Sequence, residues 1–179
     1  GVVFVSEYVK KKFLEGIKNK VNNIYVLPNG IIRQLKKKPK KKKIILFVGR
    51  LVEEKGAHIF INSLKSLHKE FPSWSFLIIG TAKAGQKKLV TNYEKKIINS
   101  FLKLGNQAIY HGFIPNSDVK RIMNSSSILV VPSIWDDPFP KPSYLFALVA
   151  GELYEVKSSY KTLSGNSVLL RIHVESGDE

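Results

Sequence analysis

Residues 44–56 read Ile44-Ile45-Leu46-Phe47-Val48-Gly49-Arg50-Leu51-Val52-Glu53-Glu54-Lys55-Gly56. The first five are apolar and mostly β-branched, the pattern of a strand covered on both faces in a parallel sheet. Gly49 ends the run and lets the backbone turn. Arg50 and Lys55 then flank a short loop, and Ile59, Phe60, Leu64 and Leu67 after it recur at helical spacing, so an amphipathic helix is predicted from about residue 57. The reading places two cations at the carboxyl end of a strand, beside the positive end of a helix, where open α/β sheets take anionic ligands. Among 29 Lys and Arg a single cation is more often a solvated charge. Position favours a diphosphate clamp instead, since a diphosphate needs charge-assisted donors.

The same alternation extends on both sides. Strands are predicted at Val2 to Val5, Ile24 to Leu27, Phe76 to Ile79, Ala108 to Tyr110 and Ile128 to Val131, with helices at Glu7 to Ile17, 57–70, 86–104 and from Asn116 or Ser117 through Met123. Pro28-Asn29-Gly30, Gly80, His111-Gly112 and Pro132 supply the stops. Strands and helices joined by short connections predict an α/β fold, a parallel sheet with helices on both faces.

Length and composition fit one ordinary domain: 179 residues with 44% hydrophobic content can bury a sizeable core. The absence of cysteine excludes disulfides, thiolate metal sites and a thiol nucleophile. No apolar run reaches transmembrane length and no signal peptide is evident, so a cytoplasmic protein is expected. The net charge of +15 is uneven. Residues 1–43 hold 13 Lys and Arg against Glu7 and Glu15, while the remainder holds 16 bases and 12 acids. The excess sits in Lys10 to Lys12 and in the run from Leu35 to Lys43, whose central proline and lack of aromatics read as a solvated linker. Peripheral attraction to the inner face of an anionic membrane is the alternative; nucleic-acid binding is disfavoured because nothing is present for bases to stack on. His58, His68 and His173 have no metal-site spacing.

Five segments, VSEYVKKKFLEG, VLPNGI, LFVGRLVEEKG, HGFIP and SSILVVPSIWDDPFPKP, occur in an order and spacing that resembles the carboxyl-terminal half of retaining GT-B-fold glycosyltransferases of the group 1 (family 4) type. The likeness covers about Val2 to Ser143. It implies a Rossmann-like domain over residues 1–143, one half of a GT-B fold, that holds a nucleotide-sugar donor. The acceptor site would lie in an amino-terminal domain outside these 179 residues. Position by position, Arg50 and Lys55 resemble the basic pair that neutralises the donor diphosphate without a divalent metal or other cofactor, and Gly49 the glycine that allows close approach. Gly112, Phe113 and Ile114 match the segment that holds the base, largely through main-chain groups. Asp137 stands where the family has the first acid of an acid, seven residues, acid motif, and the resemblance implies a catalytic carboxylate beside the donor sugar. Without that context Asp136 and Asp137 read as a turn before Pro138, and His111 as a hydrogen-bonded loop histidine.

The sequence also departs from the family. The second acid, which grips the ribose, is replaced by Leu145 or, allowing one inserted residue, Phe146; Glu152 and Glu155 are out of register. Pro140 and Pro142 remove backbone donors. Beyond Ser143 the likeness fades, and residues 144–179 are left as a tail with strands predicted at Leu153 to Val156 and Val168 to Val174. Three functions follow. The first is the donor domain of a transferase acting with retention on a saccharide or lipid-linked acceptor in cell-surface polysaccharide or lipopolysaccharide synthesis, inactive alone. The others are a degenerate nucleotide-binding domain and a basic membrane or nucleic-acid module.

Overall fold

A computed structural model of the chain describes residues 1–17, 21–27 and 40–134, together with short strands at 160–161, 167–168 and 171–173. The Lys-rich run before residue 40, Asp136, Asp137 and residues 153–156 lie outside the described residues.

The 44–48 run forms the middle of strand β3 (Lys42–Val48). Its alternation sorts the core into two layers. Phe47 points to one face with Phe76 and Ile78 of β4 (Ser75–Ile79), and there meets Phe60, Ile61 and Leu64 of α2 (Ala57–Leu67) and Ile97, Ile98 and Phe101 of α3 (Asn92–Leu102). Leu46, Leu77 and Ile79 point to the other face, covered by Met123 of α4 (Asn116–Ser125) with Leu129 of β6 (Ser126–Val131). Continuous apolar runs are what a sheet buried on both faces requires. Strand β5 (Ala108–Gly112) pairs parallel with β4, and β6 parallel with β3.

The earlier part, β1 (Val2–Phe4), α1 (Glu7–Glu15) and β2 (Ile24–Val26), makes a separate two-stranded parallel sheet. Ser6 caps α1 by accepting from the Val9 amide at 3.3 Å, and Phe13 packs on Phe4 with ring centroids 5.0 Å apart. Lys10 pairs with Glu7 at 3.2 Å and Lys12 with Glu15 at 3.0 Å, so part of the helical lysine cluster is neutralised locally. Such exposed pairs contribute little to stability.

The structure differs from the sequence reading in three respects. The third helix begins at Asn92, not near residue 86, because Thr91 and Glu94 form a capping box that fixes its first turn. Helix α4 is preceded by Pro115 in extended geometry, whose carbonyl accepts from the Asp118 and Val119 amides, so neither Asn116 nor Ser117 caps it by its side chain. In the tail the described strands are β7 (Tyr160–Lys161), β8 (Ser167–Val168) and β9 (Arg171–His173). Strand β9 adds antiparallel to β6, giving the order β5-β4-β3-β6-β9 in a sheet whose other four strands are parallel. An antiparallel edge strand on a parallel sheet is a common mixed arrangement.

Candidate functional site

The carboxyl ends of β3, β4 and β5 open into a cleft of about 360 Å³, closed on its far side by α4. Val48, Gly49 and Arg50 come from the end of β3, Ile79, Gly80 and Thr81 from the end of β4, and Gly112, Phe113 and Ile114 from the end of β5; Asn116 and Lys120 project from α4. A cleft at the carboxyl ends of adjacent parallel strands is the position in which open α/β sheets bind their ligands.

Its floor depends on a backbone crossing. The Gly49 amide donates to the Ile79 carbonyl at 3.1 Å, the Gly80 amide donates to the Gly112 carbonyl at 2.8 Å, and the Tyr110 hydroxyl donates to the Gly80 carbonyl at 3.0 Å. Gly80 has φ of +138°, and a Cβ there would lie 1.9 Å from the Gly49 oxygen. Burial, followed by the negative charge of Glu94, pushes the Tyr110 phenol up to about 12, so it stays a donor at ordinary pH.

Among the described residues two cations line the cleft, Arg50 and Lys120, and no acid does. Among the described residues neither has an ion-pair or hydrogen-bond partner. A cleft with unpaired cations, a wall of apolar side chains and a half-exposed aromatic, Phe113, suits a ligand with an anionic part and a flat apolar part.

Of the residues singled out in the sequence, Gly49, Arg50, Gly112, Phe113 and Ile114 are brought together around this cleft. Lys55 is not among its lining. It ends a 3-10 turn (Glu53–Lys55) that docks on the end of β6: the Ile134 amide and the Ser133 hydroxyl donate to the Glu54 carbonyl at 2.9 and 3.1 Å. At Gly56, with φ of +70°, a Cβ would meet the Pro132 oxygen at 1.9 Å. The strand order places β6 on the side of β3 away from β4, so the Arg50 and Lys55 ends of the loop face different neighbours. Asp137 lies outside the described residues.

Sequence reasoning missed Lys120, Asn116 and Thr81. Lys120 had one available signal, a cation one turn into the helix that follows the HGFIP turn, but nothing local shows that this turn of α4 reaches over the ends of β3 and β4. Away from the cleft, His58 Nδ1 lies 3.0 Å from the Tyr93 hydroxyl and joins α2 to α3. Burial raises the Tyr93 phenol. Among the described residues no group of three His, Cys, Asp or Glu could hold a metal ion, and no helix is long and apolar enough to cross a membrane.

The fold and cleft define one Rossmann-like half of a GT-B fold, a parallel sheet flanked by helices with a ligand cleft at its carboxyl edge. The model of the family "Glycosyl transferases group 1" matches residues 29–143, and the chain belongs to that family. It is 32% identical to spore coat protein SA of Bacillus subtilis over 110 residues, which are 62% of this chain and 29% of that protein. The chain thus spans less than a third of that relative's length. The crystal structure of HepE from Anabaena, in complex with UDP and glucose, superposes with a TM-score of 0.66 at 20% identity, covering 83% of this chain and 42% of that one. A second likeness is of another kind: over 43 residues, 24% of this chain, it is 58% identical to aminopeptidase N of Caulobacter vibrioides, of which those residues are 5%.

Proposed function

We propose that the chain is the carboxyl-terminal, donor-binding half of a retaining glycosyltransferase that moves a sugar from a nucleoside diphosphate to a saccharide or lipid-linked acceptor in cell-surface polysaccharide synthesis. The observation that carries this reading is the cleft itself, whose described lining faces a ligand with Arg50 and Lys120 and with no acid. The base would lie against Phe113 and the turn of Gly112 to Ile114, and the diphosphate would meet Arg50. As the bond from the anomeric carbon to the diphosphate breaks, negative charge grows on the departing phosphate, and a fixed guanidinium stabilises that charge more in the transition state than in the ground state. Lys55, at the far end of the same loop, would add the second positive charge of the pair that neutralises the diphosphate. The complex of HepE with UDP and glucose supports the choice of ligand class. Transfer itself needs the acceptor held in the same cleft, so this half alone is expected to bind donor and to transfer little.

Calorimetric titration with UDP, GDP and ADP tests the reading. One nucleotide should bind saturably, and Arg50→Ala should weaken it by about 1–3 kcal/mol, with a smaller loss in Lys120→Ala. Binding that ignores both substitutions would remove the cleft from the reading.

A second reading is favoured by the aminopeptidase likeness. A comparable segment of 44 residues matches aminopeptidase N of Haemophilus influenzae at 52% identity. The glycosyltransferase likeness fades after Ser143 and the second acid of its motif is missing, and a 44-residue segment ending at Glu179 would begin at Asp136. On this reading the aminopeptidase-like segment is 136–179, Asp136 and Asp137 belong to it, and the glycosyltransferase half ends without either acid of its motif, a degenerate nucleotide-binding domain. Asp137→Ala separates the two. If Asp137 faces the donor sugar, the variant should lose affinity for the nucleotide sugar while keeping its affinity for the bare nucleotide. If Asp137 belongs to the other segment, both affinities should stay as they were.

A further inference from the structure

The Glu94 side chain has no exposed surface, and the helix it caps accounts for only part of what it holds. A capping box needs one reciprocal bond, here from the Thr91 amide to Glu94 Oε2 at 2.9 Å. The same oxygen accepts from the Val90 amide at 3.1 Å. Oε1 accepts from the Ala82 amide at 2.6 Å, twelve positions earlier, and the Gln86 side-chain amide reaches Oε1 and Oε2 at 3.1 and 3.2 Å. One carboxylate therefore gathers both ends and the middle of the loop between β4 and α3.

That loop is a wall of the cleft, through Thr81 and Ala84. It also reaches Arg50: the Leu51 amide donates to the Thr81 carbonyl at 3.2 Å, and the Thr81 hydroxyl donates to the Lys83 carbonyl at 2.7 Å. The residues of this loop, 80–91, have no regular structure and would otherwise sample many conformations, and ordering them on binding would cost affinity. We propose that Glu94 is a positioning residue for the cleft: its buried carboxylate holds residues 81–91 in the ligand-binding shape and, through Thr81, fixes the chain that carries Arg50. The proposal rests on the nucleotide reading of the cleft. Glu94 touches no ligand in it and is not a catalytic residue.

The test compares the wild-type chain with Glu94→Gln and Gln107→Ala by calorimetry with UDP, GDP and ADP, at a temperature where all three are folded, alongside amide hydrogen exchange. Glutamine keeps the shape but turns one acceptor into a donor that faces either the Ala82 amide or the amides of Val90 and Thr91. Glu94→Gln is expected to weaken binding by about tenfold or more and to speed exchange at Ala82 and Val90. Gln107, whose side chain donates to the Phe71 and Trp74 carbonyls before the start of β5, controls for simple destabilisation. Gln107→Ala should lower the melting temperature and leave the affinity unchanged. Affinity equal to wild type in Glu94→Gln overturns the proposal while the nucleotide reading stands. A wild-type chain that binds none of the three nucleotides overturns both. Should Glu94→Gln fail to fold, Gln86→Ala removes the side-chain donor to the carboxylate together with that donor's bond to the Lys88 carbonyl; a several-fold loss of affinity supports the proposal, and no loss overturns it.

Discussion

Gly80→Ala is expected to destabilise the domain by roughly 2–5 kcal/mol and to abolish the cleft, although it adds a single methyl group. Two costs combine. The residue has φ of +138°, a conformation that L side chains rarely adopt, and the added carbon would lie 1.9 Å from the Gly49 oxygen. Relief cannot come from a rotamer change, because the obstacle is backbone. Moving the Gly49 carbonyl would strain the hydrogen bond from the Gly49 amide to Ile79, and moving Gly80 would strain its bonds to Gly112 and Tyr110. Urea denaturation of the two chains checks this; a midpoint within error of wild type would show that β3 and β4 do not close on one another at this point.

The second large effect is a pH dependence. Burial pushes the Glu94 carboxyl up, but the bonds from the Thr91 and Ala82 amides, the Gln86 side chain and the Val90 amide outweigh it and hold it at about 2. A carboxyl lowered on folding contributes stability that is fully present above its unfolded pKa, near 4.5, and is lost as pH falls toward 2. The shift corresponds to about 3 kcal/mol. The stability difference between wild type and Glu94→Gln should therefore be large at pH 6 and shrink steadily below pH 4. A difference that is the same at pH 6 and pH 2.5 would mean that the charge on Glu94 does not matter to the fold.

Most of the architecture was legible because it is written locally. The 44–48 run could only be a buried strand, and its alternation of Leu46 and Phe47 already divides the two core layers. The start of α3 was legible too, in Thr91-Asn92-Tyr93-Glu94, but the apolar spacing continued back to Leu89 and masked it; Leu89 does pack against the core, from the loop. What could not be read was non-local. Gly80 looked like an ordinary strand end until the Gly49 carbonyl was placed against it. That Arg50 lines the cleft while the far end of its loop, at Gly56, packs against Pro132 could not be read from their spacing. Lys120 became a site residue only once α4 crossed over the sheet. The glycosyltransferase pattern fades after Ser143, and the family match ends at residue 143.

The most direct measurement of the central claim is the backbone amide spectrum of the isotope-labelled chain, titrated with UDP, GDP and ADP. The account predicts that one nucleotide saturates and that its largest shifts fall on Gly49, Arg50, Thr81, Gly112, Phe113 and Lys120, the rim of the cleft. Shifts confined to the lysines of residues 10–12 and 35–43, or no saturable shift with any nucleotide, would contradict it.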